Sequence, residues 1–312
     1  SGDIGTDGIN TDNCYHVVRG NDSTCIDGFI IQDGFADLTT TGPDDNGGGL
    51  DIYGISDNTL IVKNCVFQNN YAEETGGALY IEDSKITIEN CIFRNNIGDG
   101  RAAYITGNSS DVSFKNCLFD ENIAGSQADI YNESNNGQNY INCTFIQSSI
   151  SDNENPSTYT NSILYYPNFS NTTDPSFSLG DFYKPKVNYS CVKNSITLPI
   201  VGNNNIFDDP GFDNDTSFTL QYNSPCVDAA NGDSVSRPDH YNSPNYDNLF
   251  VANTGVGSPN YADIGAFEFY TDKMIGYYTI GPSGDYATFA DAVNDLITIG
   301  IGGPVIFNVK PG

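Results

Sequence analysis

The stretch IVKNCVFQNN at positions 61–70 recurs as TIENCIFRNN (87–96), SFKNCLFDEN (113–122) and YINCTFIQSS (140–149). Each copy keeps an asparagine, the cysteine after it and a phenylalanine two positions further on, and each of these residues recurs at an interval of 26 residues. A fixed interval that preserves several residue types indicates a repeat architecture. The repeated positions are Asn64, Asn90, Asn116, Asn142, Cys65, Cys91, Cys117, Cys143, Phe67, Phe93, Phe119 and Phe145.

A second repeated element begins with small residues and occurs as GGGLDIYG (47–54), GGALYIED (76–83), GRAAYITG (100–107) and SQADIYNE (126–133). The distance from each N-C-x-F to the next such element is nearly constant, as in a solenoid with one variable corner. Apolar and polar residues alternate around both elements, which predicts short strands. No helical period fits between them, so equivalent strands of successive coils must pair directly. The predicted fold is all-β: a right-handed parallel β-helix, a pectate-lyase-like solenoid.

The repeated residues have different predicted roles in each coil. Asparagine tolerates the positive φ that a tight corner requires. Stacked asparagine amides can also bond to one another along the axis of the solenoid. We expect the cysteines and phenylalanines to form columns that fill its interior.

The charge of the chain restricts the class of partner. Lys+Arg is 12 and Asp+Glu is 40, so the formal net charge is -28. This field repels nucleic acid and anionic lipid, and it attracts cations. The sequence contains no apolar run long enough for a membrane-spanning helix.

The repeat resembles a known group of proteins. The combination of G-G-A-[IL] with N-C-x-F-x-x-N is similar to repeats of chlamydial polymorphic outer-membrane proteins and of secreted β-helix proteins common in Bacteroidetes. FTLQYNSPCVDAANGD (218–233) and ADIGAFEF (262–269) resemble the closing sequence of the latter, and the resemblance covers about 1–270. It implies export, an extracellular or cell-surface location, and adhesion or scaffolding.

The C-terminal stretch 275–312 has a different pattern. Phe289, Ala292, Val293 and Leu296 follow a helical period, and PVIFNVKPG (304–312) then predicts a strand. We interpret this pair as the cap helix and first strand of a following β-helix domain, which would make the chain part of a tandem protein. The alternative is that 275–312 folds back to cap the same solenoid. In either case the expected partners are neighbouring β-helix domains or copies of the chain.

The eight cysteines fall into two predicted groups. The ladder cysteines have parallel Cα–Cβ vectors, whereas a disulfide needs converging Cβ atoms, so we expect buried free thiols there. The candidate disulfides are Cys14–Cys25 and Cys191–Cys226.

Acidic loops are candidate sites for structural calcium, which prefers hard oxygen ligands. No loop matches the EF-hand pattern, and solvated surface carboxylates are the alternative. The candidate ligands are Asp44, Asp45, Asp208, Asp209, Asp213 and Asp215.

An enzyme on this fold would need converging polar side chains on the outer face. Lyases use a base beside a cation, and glycosidases use two carboxylates. The candidates are Glu89 beside Lys63 and Lys115, or Asp120 beside Arg94. The alternating signs on neighbouring coils also fit plain cross-strand charge pairing.

A tyrosine pair and one arginine are two further candidates for surface function. Tyr80 and Tyr104 occupy equivalent positions and would offer an aromatic strip to surface glycans if they pointed outward. Arg237 could tie the closing sequence together through Asp228, Asp263 and Glu268. The sequence therefore favours a non-enzymatic surface adhesin, scaffold or filament component, with a polysaccharide lyase or glycoside hydrolase as the alternative.

Overall fold

A computed structural model describes residues 1–312 except 7–8, 38–45, 57–59, 100–101, 123–128, 153–154, 166–167, 171–183, 194–199, 215–216, 236–237, 240–245, 250, 272 and 311–312. Three seven-stranded sheets, A, B and C, run through the repeat, and every pairing in them is parallel and joins equivalent strands of adjacent coils. The predicted parallel β-helix is confirmed. No helix in the described part of the chain is long and apolar enough to cross a membrane.

Sheet A is built from the small-residue elements, whose alternating pattern puts every second side chain inside the solenoid. Its strands are β1 (Val18–Arg19), β5 (Leu50–Tyr53), β9 (Leu79–Glu82), β13 (Ala103–Thr106), β16 (Ile130–Asn132), β19 (Ser149–Asp152) and β22 (Asn168–Ser170), numbered along the chain.

Sheet B precedes the asparagine corner of each coil. Its strands are β2 (Cys25–Asp27), β6 (Ile61–Lys63), β10 (Lys85–Glu89), β14 (Asp111–Lys115), β17 (Asn139–Ile141), β20 (Thr158–Thr160) and β23 (Lys186–Asn188).

Sheet C follows that corner and carries the phenylalanine column on its inner face. Its strands are β3 (Ile30–Gln32), β7 (Val66–Gln68), β11 (Ile92–Arg94), β15 (Leu118–Asp120), β18 (Thr144–Ile146), β21 (Ile163–Tyr165) and β24 (Cys191–Lys193). A shorter fourth sheet consists of β4 (Phe35–Ala36), β8 (Tyr71–Thr75) and β12 (Ile97–Asp99).

The interior is a set of stacked columns. Phe93 lies between Phe67 and Phe119, with ring centroids 5.0 Å away on either side. This spacing matches the separation of paired strands, because each ring belongs to one rung of the sheet. On the facing sheet B, Phe114 stacks on Tyr140 and meets Phe93 edge to face. The two columns interlock, so successive coils share one core.

The corner between sheets B and C has positive φ in every coil. Asn64, Asn90, Asn116 and Asn142 have φ of 53°, 54°, 51° and 51°. The conformation continues where the motif degrades, because Asn161 and Tyr189 take the same place with φ of 53° and 50°. The backbone of the corner is therefore conserved from coil to coil even where the side chain changes.

The first coil differs from the later ones at one position. Phe29 takes the place of Cys65, since Ile30 and Ile31 pair with Val66 and Phe67. Unlike the buried Cys65, Phe29 is 59% exposed. In this edge coil, Ile31 is buried and continues the phenylalanine column above Phe67.

The closing segment, residues 218–270, covers the outer face of the later strands of sheet C. Leu118, Ile163 and Cys191 point outward from that sheet, yet they are buried under residues such as Phe267 and Cys226. Among its described residues, the stretch before the closing segment forms isolated parallel bridges to the last coil, Lys186 to Val201 and Cys191 to Ile206.

The C-terminal unit consists of β25 (Met274–Ile280), α1 (Phe289–Thr298) and β26 (Ile301–Val309), with the two strands paired in parallel. The predicted helix and following strand are present, whereas β25 was not predicted. Thr288 and Asp291 form a capping box that starts the helix. Of the helix, only Ala292 is buried, and Phe289 and Val293 are exposed. Short 3-10 turns lie at Asn10–Asp12 and Gly232–Ser234.

Candidate functional site

The asparagine ladder joins three coils and then meets the closing segment. Asn90 Nδ2 donates to Asn64 Oδ1 over 3.1 Å, and Asn116 Nδ2 donates to Asn90 Oδ1 over 3.0 Å. Asn142 Nδ2 donates to the backbone carbonyls of Asp263 and Gly265 over 3.2 and 3.4 Å. These amides hold the corner in place and anchor the closing segment on it.

The cysteine ladder is fully buried, and its four thiols are free. Each Sγ donates to the carbonyl two residues earlier, as Cys65 does to Lys63 O over 3.0 Å. Burial raises the pKa of Cys91 and Cys143 well above the ordinary value. The neighbouring Cys91 side chain lowers the pKa of Cys65 to about 7, and burial partly opposes this shift. These thiols pack as small apolar groups with a weak donor.

Neither candidate disulfide is formed in this structure, since all eight cysteines are thiols. Cys25 is exposed on β2 of sheet B. The backbone of Cys14 bonds to Gly2 and to Phe35, and Phe35 lies in β4, which follows the sheet C strand of the same coil. That separation in the coil explains why the first pair is unbridged. Cys191 and Cys226 are both buried in one cluster, and the Cys191 side chain contributes to the raised pKa of Cys226.

Glu89 and Lys115, the first catalytic candidates, are paired neighbours on the outer face of sheet B. Lys63 pairs with Glu89 on its other side and forms an ion pair with Asp27 over 3.3 Å. The column thus alternates in sign over four coils. This arrangement is cross-strand charge pairing along the sheet rather than a set of groups aimed at one point.

Arg94 and Asp120, the second catalytic pair, lie on sheet C, beyond the corner at Asn90. The Arg94 guanidinium donates to Gln68 Oε1 over 2.8 and 3.1 Å. Burial raises the pKa of Asp120 to about 6, with a contribution from Glu121, and Arg94 partly opposes the shift. Asp120 Oδ1 is buried without a hydrogen-bond partner among the described residues. The two candidate pairs thus lie on different sheets.

The predicted tyrosine strip lies on the outer face of sheet A and includes a third ring, Tyr131. Tyr80 and Tyr131 stack on Tyr104 at 5.9 and 5.2 Å, with planes 12° and 4° apart. Their faces therefore cover one another, and mainly edges are left for a ligand. Tyr80 and Tyr104 donate hydroxyl hydrogen bonds to Glu82 and Glu133, both over 2.6 Å. The strip is a self-paired surface rather than a stacking platform for sugars.

The calcium candidates that the structure describes, Asp208, Asp209 and Asp213, do not converge on one point. Asp208 and Asp209 accept backbone N–H groups of their own turn, from Asp209 and Gly211. Asp213 lies in a separate hairpin with Thr219. Within the described residues, no group of three or more metal-binding side chains is assembled. Asp44, Asp45 and Asp215 lie outside the described residues.

Two surface grooves are lined by other residues. One, of about 430 Å³, lies at the start of the sheet B strands between Lys85 and Lys186 and is lined mainly by amides. The other, of about 320 Å³, lies between the closing segment and the C-terminal unit. Tyr222 and Tyr270 line this second groove together with Gln221, Asp213 and Lys273. Tyr270 is 59% exposed and meets Tyr246 edge to face at 6.2 Å, which orients its ring.

Buried carboxylates of the closing segment were predicted only as partners of Arg237, which lies outside the described residues. Asp263 accepts the backbone N–H groups of Asp228 and Phe269, over 2.7 and 2.5 Å. Burial and nearby Glu268 raise the pKa of Asp263. Burial raises the pKa of Asp228 to about 7, and its Oδ2 has no partner among the described residues. Nothing in the spacing of these residues signalled such burial.

A second asparagine ladder was missed, although its residues end the repeated motif. Asn70 Nδ2 donates to Asn96 Oδ1, and Asn96 Nδ2 donates to Asn122 Oδ1, each over 3.0 Å. Asn70 and Asn96 are fully buried. The asparagine that ends the N-C-x-F-x-x-N motif repeats at the same interval and could have predicted this second ladder.

The comparisons with known proteins supply no identification. No protein-family model matches the chain, and no curated protein or solved structure matches it either.

Proposed function

We propose that this chain is a non-catalytic extracellular protein of the cell surface, in which a β-helix solenoid serves as scaffold and adhesin. The observation that carries the proposal is that the outward columns of sheets A and B pair with their own neighbours and that the later strands of sheet C are covered. Charges alternate along sheet B, tyrosine faces cover one another on sheet A, and the closing segment packs over sheet C from Leu118 onward. Such a surface suits a rigid support better than a catalytic cleft.

The aromatic groove between the closing segment and the C-terminal unit is the contact surface of this adhesin. The exposed face of Tyr270 is suited to stacking on a sugar ring, and Gln221 and Asp213 supply hydrogen-bonding groups beside it. The net charge of -28 repels polyanions, so the partner is a neutral surface glycan.

A glycan-binding assay with the purified chain tests the adhesin role. Binding to neutral glycans should fall at least about tenfold in Tyr270→Ala, because the stacking ring is lost. Tyr53→Ala is the matched control, since Tyr53 is equally exposed on sheet A and lies outside the groove. Equal binding by both variants, or no binding by the wild type, would contradict this role.

The alternative is a carbohydrate-active enzyme, favoured by the raised pKa of half-buried Asp120 beside Arg94. Incubation with acidic and neutral polysaccharides distinguishes the two functions. We expect neither unsaturated products nor new reducing ends. Product formed by the wild type and abolished in Asp120→Asn would establish the enzyme instead.

A further inference from the structure

Two cysteines from separate parts of the chain meet under the closing segment. Cys191 begins β24 and points out of sheet C, since its neighbour Val192 belongs to the interior core. Cys226 belongs to the closing segment. Both side chains are fully buried in the same cluster. Burial raises the pKa of Cys226, and the neighbouring Cys191 side chain adds to the shift.

The geometry of this pair differs from that of the ladder. Cys91 and Cys117 lie side by side on adjacent coils, so their Cα–Cβ vectors run parallel. Cys191 instead projects from a sheet, and Cys226 comes from the layer that covers it. Side chains that approach from opposite layers can bring their Cβ atoms together, which is what a disulfide requires.

The backbone on both sides is already fixed. Cys191 N donates to Ser162 O over 2.9 Å, and Cys226 O accepts from Ile264 N over 2.9 Å. The Cys191 thiol donates to Asp208 O over 3.5 Å. A bond between the two sulfurs would cost that weak hydrogen bond and a side-chain rotation, with the strands left in place.

We propose that Cys191 and Cys226 form an oxidation site whose disulfide locks the closing segment onto the last coil. The oxidant is a small-molecule disulfide such as oxidised glutathione. One cysteine thiolate attacks it and releases one glutathione thiolate, and the second cysteine thiolate then displaces the other glutathione. The two electrons and two protons of the protein thiols end on two reduced glutathione molecules. The site is independent of the proposed adhesin role.

Access dictates when the reaction takes place. Neither thiol has exposed surface once the closing segment is in place. The oxidant therefore reaches the pair when this segment opens locally or before it docks during folding.

The test is refolding of the full chain in oxidised glutathione, alkylation under denaturing conditions and peptide mapping without reduction. The expected result is one bridge, between Cys191 and Cys226, with the other six cysteines alkylated. Cys143→Ser, a ladder variant, should keep the bridge, and Cys226→Ser should lose it. Alkylation of both Cys191 and Cys226 in the wild type, or a bridge from either to another cysteine, would overturn the proposal.

Thermal unfolding gives a second measure that needs no mapping. The bridge closes a loop of about 35 residues and restricts the unfolded chain, which should raise the unfolding midpoint by roughly 5–10 °C. Addition of a reductant should reverse this rise in the wild type and in Cys143→Ser. A reductant effect of the same size in Cys226→Ser would also contradict the proposal.

Discussion

The stacked coils and the closing segment bury polar groups in different ways. In the coils, each buried amide finds the same amide on the next rung, as Asn70 finds Asn96 and Asn96 finds Asn122. In the closing segment, buried carboxylates accept backbone N–H groups instead: Asp228 from Asn248, and Asp263 from Asp228 and Phe269. Repetition therefore guarantees a partner for each amide, whereas the non-repeating layer depends on individual contacts and on the protonation of its carboxyls.

The largest effect is expected at the centre of the aromatic column. Phe93→Ala removes a ring packed between Phe67 and Phe119 and against Phe114, and should reduce the free energy of unfolding by about 4–5 kcal/mol. Denaturant unfolding measures the loss. Phe207→Ala, at an exposed site, is the control and should change stability by less than about 0.5 kcal/mol. A comparable loss in both variants would mean that the column is not the core.

The second effect concerns the amide ladder. Asn96 accepts from the backbone N–H and Nδ2 of Asn70 and donates to Phe67 O and Asn122 Oδ1. Asn96→Ala should cost about 3 kcal/mol, because it leaves buried groups without partners. Asn139→Ala, on the exposed face of sheet B, should be close to neutral. A loss below about 1 kcal/mol for Asn96→Ala would show that the ladder is not a source of stability.

The third effect tests the closing segment through pH. The pKa of Asp228 is raised to about 7 in the folded chain, above the unfolded value of about 4. Its contribution to stability is therefore complete below about pH 4 and is lost as the pH rises through about 7. Buried Asp263, whose pKa is also raised, acts in the same direction.

Asp228→Asn should consequently stabilise the chain by about 1–2 kcal/mol near pH 8 and change little near pH 5. Urea unfolding across this range measures the difference. Asp111→Asn removes the same unit charge from an exposed site and controls for net charge. Parallel pH profiles for wild type and Asp228→Asn would show that Asp228 is ionised at no cost.

The smallest effect belongs to the outer charge column. Glu89→Gln interrupts the alternation with Lys63 and Lys115 and should cost at most about 0.5 kcal/mol, less at high salt. A larger loss of unfolding free energy that does not depend on salt would mean that this charge column stabilises the fold as the interior columns do.

The features that repeat were predictable from the sequence. The constant interval between Cys65, Cys91, Cys117 and Cys143 implies that each coil has the same path length. The asparagines beside these cysteines must therefore also lie one above another. The side of the sheet on which Tyr80 lies was ambiguous from the pattern. It is settled by the pairing of Leu79 and Ile81 with other inward residues.

The features that depend on the closing segment were not predictable. Asp120 was expected on an open surface, and its half-buried state was not foreseen because no periodicity says which residues another layer covers. The contact between Cys191 and Cys226 has the same origin, since the two lie in unlike motifs. β25 was missed because its sequence, MIGYYTI, carries glycine and lacks strict alternation.

Electron–electron spin distances test whether equivalent residues of successive coils lie one above another. Labels are placed at Ile61 together with Thr158, and at Ile61 together with Lys186, all on one outward column of sheet B, after Cys14 and Cys25 are changed to serine. One rung separates Thr158 from Lys186, so stacked coils should give distances of roughly 19 and 24 Å, about 4.8 Å apart. A second distance equal to or shorter than the first would contradict the stacked coil.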